Sequence, residues 1–115
     1  MRIYNIYLFT FLSTFSIFSH SSNIENLKLP DGFKISIYAE NVKSARQMAE
    51  SQRGTIFIGS KSSDSVIALI DNNKDNYAET KITVASGLSN PTGVALKNGD
   101  LYFSEIDKIW IIKNI

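Results

Sequence analysis

An internal repeat constrains the fold of this chain more than any other feature of its sequence. Three pairs of segments align in the same order, with short deletions between them: residues 42–49 with 88–95, 54–58 with 99–103, and 66–69 with 109–112. The period of about 45 residues is typical of one propeller blade or one kelch-like unit. The sequence therefore predicts two copies of one small structural unit.

Each copy consists of short runs rich in β-branched and aromatic residues, separated by polar loops. We expect strands at residues 33–39, 55–60, 65–70, 81–85, 99–104 and 108–112. In the first of these, Phe33, Ile35 and Ile37 alternate with Lys34 and Ser36, which is the period of a half-buried strand. The pattern as a whole predicts an all-β fold.

Residues 45–52 have good helix propensity, and propensity alone would predict a helix there. The segment is short for an isolated helix, and its repeat partner contains Pro91, Gly93 and Val94, which disfavour one. We therefore interpret both segments as the innermost strands of four-stranded meanders. On this interpretation residues 33–39 form an outer strand that pairs with another blade, which removes an exposed edge.

The two units are expected to form an incomplete domain over residues 33–115. The first blade would span about residues 45–85, and the second would begin at about residues 92–115, where no fourth strand is predicted. Fewer than three repeats rarely bury a stable core. We therefore expect the chain to be the N-terminal part, about two blades, of a larger β-propeller.

Residues 1–22 have the layout of a secretory signal peptide, with Arg2 followed by an apolar stretch and a small polar run. We expect cleavage near Ser22, a linker over residues 23–32, and a periplasmic or secreted protein. The alternatives are a membrane anchor and a buried amphipathic helix. Because the apolar stretch is shorter than the ~20 residues that cross a bilayer, no stable membrane span is expected after cleavage.

Charge and composition exclude several classes of site. The 12 basic and 11 acidic residues give a net charge of +1, without the basic cluster that a nucleic-acid partner requires. The absence of cysteine excludes disulfides, thiolate metal sites and a cysteine nucleophile. The one histidine, His20, lies in the predicted leader, so no serine with a histidine base is expected in the mature chain.

Oxygen-bearing side chains alternate in the loop between the third and fourth strands of the first unit: Asp71, Asn73, Asp75 and, less regularly, Glu79. This spacing is typical of the start of a calcium loop. However, such a loop needs a glycine at its sixth position and a bidentate glutamate at its twelfth, which are Asn76 and Ile82 here. A weak calcium site and a simple polar hairpin loop remain the two alternatives.

Three short motifs carry a resemblance to a known family: "LPDGF" at residues 29–33, "ARQMA" at residues 45–49 and "GLSNPTGVAL" at residues 87–96. With them, residues 29–115 resemble the N-terminal portion of the glucose/sorbosone dehydrogenase family, in particular its sorbosone-dehydrogenase-like branch. The resemblance implies a six-bladed propeller that oxidises a sugar or polyol with pyrroloquinoline quinone.

The resemblance assigns few site residues to this part of the chain. In that family a histidine takes the substrate hydroxyl proton while hydride passes to the quinone. His20 cannot be this base, so we expect no catalytic residue here and place the catalytic residues downstream. Arg46, at the start of an innermost strand, is the candidate for binding a quinone carboxylate through paired donors. The alternative for Arg46 is an ion pair with an acid at the channel mouth.

Two functions are therefore expected from the sequence. The first is the N-terminal part of an exported quinone-dependent sugar or polyol dehydrogenase, inactive alone. The second is a non-catalytic exported propeller module that binds carbohydrate or protein and is assembled from several chains. Propellers host both roles, so the fold does not choose between them.

Overall fold

A computed structural model describes residues 24–115 as an all-β structure. After a 3-10 turn at Ile24–Asn26, one sheet contains β1 (Ala45–Glu50), β2 (Ile56–Ser60), β3 (Val66–Ile70) and β4 (Thr80–Ala85), and the other contains β5 (Val94–Lys97), β6 (Asp100–Ser104) and β7 (Ile109–Ile112). All neighbouring strands are antiparallel and follow chain order, so each sheet is a meander. The all-β prediction is confirmed. The predicted leader, residues 1–22, lies outside the described residues.

Strand β1 occupies the segment for which helix propensity and the repeat gave different predictions. Met48 pairs with Ile58, and Ala49 pairs with Phe57 on β2. Helix propensities differ by only a few tenths of a kcal/mol per residue, so the ladder bonds and the packing of a sheet outweigh them over six residues. The strand prediction made from the repeat is confirmed.

The repeat is also present in the register of the ladders. Met48 pairs with Ile58, and their aligned residues Val94 and Phe103 pair with each other. The third strands agree in the same way, with two further matched pairs: Ile67 with Ile58 and Trp110 with Phe103. The two sheets are therefore copies of one unit, and the second lacks a counterpart of β4 among the described residues.

The two sheets share one hydrophobic core, to which they contribute opposite faces. Phe57 of the first sheet packs in the same cluster as Leu101 and Phe103 of the second. In the repeat, however, Phe57 is aligned with Tyr102, whose side chain points to the other face of β6 because successive residues of a strand alternate. Each sheet therefore uses a different one of its two faces in this contact. The remaining face of each sheet is available for packing against a further unit of the same kind.

The end of β2 lies against the backbone of the segment that precedes β5. The Ser60 N–H donates to the Pro91 carbonyl at 2.7 Å, and Pro91 is fully buried. Gly59 lies against the same segment, because a Cβ built there would lie 2.5 Å from the Thr92 carbonyl oxygen. Glycine is required at this position so that the two backbones can meet.

A tight turn at Asn98 and Gly99 connects β5 to β6 and forms the first hairpin of the second unit. Lys97 pairs with Asp100 across a two-residue loop, and Asn98 and Gly99 in that loop have φ values of 55° and 82°. Both central residues of a type I′ turn need positive φ, and Asn-Gly is its preferred sequence. The turn matches the twist of the flanking strands and fixes their register.

The predicted outer strand at residues 33–39 is not formed in the described structure, which assigns these residues neither helix nor strand. Phe33 donates its N–H to Pro30 in a turn, and Tyr38 accepts a hydrogen bond from the Ala78 N–H at 2.7 Å. Alternation of apolar residues suits a strand, but a strand also needs an edge to pair with. Residues 33–44, which we call the arm, contact the first sheet through their second half, where Lys81 Nζ on β4 donates to the Asn41 carbonyl.

Within residues 24–115, no helix has the length and apolar character needed to cross a bilayer.

Candidate functional site

The acidic loop, residues 71–79, connects β3 to β4 and brings three carboxylates together. Ile70 pairs with Thr80 at its mouth, so Asp71 and Glu79, the next residues on each side, face each other. One ligand oxygen from each of Asp71, Asp75 and Glu79 lies within 4.8 Å of the other two. Carboxylate oxygens this close are the ligands that calcium prefers.

The Asp71 carboxylate already accepts hydrogen bonds from backbone N–H groups of the loop. Its Oδ1 accepts from Lys74 at 2.6 Å and from Asp75 at 3.3 Å, and its Oδ2 accepts from Asn76 at 2.9 Å. These bonds order the loop without a metal ion, in the manner of an Asx turn. A cation would have to share the Asp71 oxygens with these donors.

Asn73 and Asp75, the other predicted calcium ligands, also make hydrogen bonds within the loop. The Asn73 side chain accepts from the Asp75 N–H at 2.9 Å and donates to Asp75 Oδ2 at 3.0 Å. Asp75 Oδ1 accepts from the Tyr77 N–H at 2.9 Å. Asn73 is thus placed beside Asp75 as a hydrogen-bond partner, and the third carboxylate of the group comes from Glu79.

Two positions decide how closely the loop resembles a calcium loop. Asn76 occupies the sixth position and has a φ of 72°, so it adopts the left-handed conformation that glycine supplies in such loops. Ile82 occupies the twelfth position and lies within β4, so the bidentate carboxylate is missing. The loop therefore has the backbone conformation that a calcium loop needs at its sixth position. It lacks the bidentate carboxylate that such a loop needs at its twelfth position.

Tyr38 of the arm lies near the acidic loop. Burial raises the pKa of its phenol, and the negative charges of Asp71, Glu50 and Glu79 raise this pKa further. The Ala78 N–H, inside the loop, donates to the Tyr38 carbonyl. The arm and the acidic loop are therefore coupled through both a hydrogen bond and electrostatics.

Arg46 lies on β1 and is exposed. Among the described residues no salt bridge joins it to an acid, so the predicted ion pair at a channel mouth is not formed there. Arg46 does not line any of three cavities that the structure forms within residues 24–115. The structure does not bring Arg46 together with the acidic loop into one site.

The largest of these cavities, of about 310 Å³, lies between the two hairpins that begin the sheets. Its wall includes Glu50, Arg53 and Lys97, with Leu96 and Ile115 as apolar contributors. Charges of both signs line it, and Arg53 and Lys97 are exposed. It is an open groove between turns, without the buried polar groups that mark a specific small-molecule site.

This chain is similar in sequence to part of a longer protein. A protein from Borreliella burgdorferi, named only as an uncharacterized protein, is 36% identical to this chain over 90 residues. The match covers 77% of this chain and 22% of the Borreliella protein, so the chain spans about a fifth of the length of that relative. No protein-family profile matches the chain, and no solved structure matches it.

Proposed function

We propose that this chain supplies two adjacent blades of an exported β-propeller of the glucose/sorbosone dehydrogenase type. The matched ladder register of the two sheets carries this proposal, since equivalent residues pair equivalently in all three strand positions that both units possess. The innermost strands β1 and β5 are neighbours, and the sheets pack through unlike faces. Blades arranged around a common axis have both properties.

In such a protein this chain would form part of the wall around a site that oxidises a sugar or polyol. The base that takes the substrate hydroxyl proton would belong to another blade of the propeller. Pyrroloquinoline quinone, when bound, supplies the hydride acceptor. Arg46 is exposed and does not line the three cavities described above.

The experiment compares this chain with a longer product of the same gene locus. The chain alone, supplied with pyrroloquinoline quinone, an artificial electron acceptor and a panel of aldoses and polyols, should show no turnover above a cofactor-only control. A longer product, if the downstream sequence encodes more units and a histidine before an innermost strand, should turn over. Turnover by the chain alone, or a folded and cofactor-loaded longer product that is inactive on the whole panel, would refute the dehydrogenase proposal.

A non-catalytic module assembled from several chains is the second candidate. It is favoured by exposed apolar side chains on β7, where Ile109 is 78% exposed and Trp110 is 45% exposed in the described structure. Adjacent exposed apolar side chains form a surface suited to association with another protein. Retention of the chain on immobilised polysaccharides, or its self-assembly, would support this candidate without any activity assay.

A further inference from the structure

The turn between β5 and β6 places a side-chain amide beside an unhindered backbone nitrogen. Asn98 and Gly99 occupy its two central positions and are both exposed. Asn98 is the only asparagine of the chain that is followed by a glycine. Because glycine has no Cβ, it neither restricts the backbone nor shields its own nitrogen. The Asn98 amide carbon and the Gly99 nitrogen can therefore approach each other when this turn opens.

The backbone nitrogen of Gly99 is also unprotected by its surroundings. Its N–H makes no hydrogen bond to another group in the described part of the chain. A Cβ built on Gly99 would have no atom within 4 Å, so the space around the turn is open. Neither a hydrogen bond nor a packed neighbour holds this nitrogen away from the Asn98 side chain.

Other asparagines share the backbone conformation of Asn98 but lack this combination. Within residues 24–115, positive φ values are found at Asn41, Asn76, Asn90, Asn98 and Asn114. Asn90 precedes Pro91, whose nitrogen carries no hydrogen and cannot attack. The N–H that follows Asn76 donates to Asp75 Oδ1 at 2.9 Å. The remaining two precede β-branched residues, whose side chains crowd the nitrogen.

We propose that Asn98 is a site of spontaneous deamidation, which converts this turn to an aspartyl or an isoaspartyl form. The Gly99 nitrogen attacks the side-chain carbonyl carbon of Asn98 and forms a C–N bond to it. The side-chain nitrogen leaves as ammonia and takes the Gly99 amide proton with it. Water then opens the resulting cyclic imide. Opening at the side-chain carbonyl gives aspartate, and opening at the main-chain carbonyl gives isoaspartate.

The aspartyl product should keep the turn and change its charge. Aspartate, like asparagine, is tolerated in the left-handed region, so the backbone at position 98 need not change. The product adds one negative charge to a chain whose formal net charge is +1. The new carboxylate would lie on the wall of the open groove that also carries Arg53 and Lys97.

The isoaspartyl product should instead weaken the second sheet. It adds the side-chain methylene to the main chain, so the two-residue loop no longer fits the pair of Lys97 with Asp100. The next pair joins Leu96 to Leu101, which is fully buried in the shared core. Because the turn fixes the register of β5 and β6, its distortion disturbs the packing of Leu101. Isoaspartate at position 98 should therefore lower the Tm.

Peptide mapping of aged protein tests the site. The full-length chain is kept folded in warm, mildly alkaline buffer and is sampled over time. Mass spectrometry locates each deamidated asparagine, and enzymatic methylation of isoaspartyl groups measures the isoaspartate. Asn98 should be converted about tenfold faster than Asn90, whose following nitrogen has no proton to lose, and faster than Asn76 by a similar factor. Conversion of Asn98 no faster than that of these two residues would overturn the proposal.

A pair of glycine variants separates the chemistry at Asn98 from general ageing. Asn98→Gly retains a residue that accepts positive φ and removes the amide, so it should form no isoaspartate in this turn and keep its Tm during the incubation. Asn76→Gly makes the same change in the acidic loop and should age as the wild type does. Isoaspartate that persists in Asn98→Gly, or equal loss of Tm in the two variants, would contradict the inference. Near-ultraviolet circular dichroism of the single tryptophan, Trp110, reports whether each sample stays folded.

Discussion

Gly59 on β2 lies against the backbone of Thr92, in the segment that precedes β5. A Cβ atom at Gly59 would lie 2.5 Å from the Thr92 carbonyl oxygen and 2.6 Å from the Pro91 carbonyl oxygen. Both neighbours are backbone atoms, which cannot rotate away as a flexible side chain can. The Ser60 N–H, one residue later, donates to the Pro91 carbonyl at 2.7 Å. A side chain at position 59 would separate these backbones and break this hydrogen bond.

We therefore expect Gly59→Ala to lower the free energy of unfolding by about 2–3 kcal/mol, the range of overpacking in a well-packed core. Gly54→Ala is the matched control, because no atom lies within 4 Å of its built Cβ and only its φ of 84° is unfavourable. The control should cost about 1 kcal/mol. Urea unfolding followed by tryptophan fluorescence measures both. Equal losses for the two variants would show that the close approach at Gly59 does not limit stability.

The repeat made most strands predictable, and its effect was greatest at β1. Residues 45–50 alone favour a helix, and only their alignment with a segment containing Pro91 and Gly93 indicated a strand. The segment at residues 33–39 shows the limit of the same reasoning. Alternation is a local property, whereas a strand forms only where the rest of the chain places a neighbour for it, and this segment pairs with neither described sheet.

The acidic loop shows a similar limit. Spacing along the chain selected Asp71, Asn73 and Asp75, at every second position. The ladder pair of Ile70 with Thr80 returns the chain on itself, so Glu79 joins Asp71 and Asp75 from across the hairpin. Cross-strand neighbours can be inferred only when the register of β3 and β4 is known. The sequence identified the loop and selected Asp71 and Asp75 by their regular spacing, whereas Glu79 fell outside that spacing and its place beside Asp71 depends on the hairpin.

Calcium should bind to the acidic loop no more tightly than about 10⁻⁴ M, the range of weak extracellular sites. The Asp71 oxygens already accept three backbone hydrogen bonds, and Ile82 replaces the bidentate ligand. Calorimetry on the folded full-length chain is the measurement. Asp75→Asn should abolish any binding, while Asp31→Asn, outside the loop, should not change it. Micromolar or tighter affinity would mean that the hydrogen bonds within the loop do not compete with the ion.

The exported form of the protein should begin near Ser22 or Asn23. The apolar stretch after Arg2 is shorter than a bilayer span and is interrupted by polar residues, so cleavage is expected rather than retention. Mass spectrometry of the periplasmic or secreted fraction determines the first residue. A membrane-bound species that retains Met1 would favour the anchor instead.

Glu105 should make the second sheet sensitive to acid. The Ser89 N–H donates to its Oε1 at 2.5 Å, and Trp110 Nε1 donates to its Oε2 at 2.7 Å. These hydrogen bonds, that from Ser89 foremost, hold the pKa of Glu105 below its ordinary value of 4.5. A carboxylate with a lowered pKa in the folded state stabilises the fold above its unfolded pKa, and this contribution is lost as pH falls through the folded value.

Wild-type protein should therefore lose stability as the pH falls below about 4.5, and Glu105→Gln should have a lower Tm at pH 7 with a weaker dependence on acid. Its amide can still accept from Ser89, but it cannot offer a charged acceptor to both donors. Asp107→Asn is the matched control, because that carboxylate is 71% exposed and lies 3.9 Å from Lys108. Thermal unfolding from pH 7 to pH 3, followed by Trp110 fluorescence, measures all three proteins. If Glu105→Gln and Asp107→Asn have the same Tm at pH 7 and the same acid profile, the hydrogen bonds of Glu105 do not stabilise the sheet.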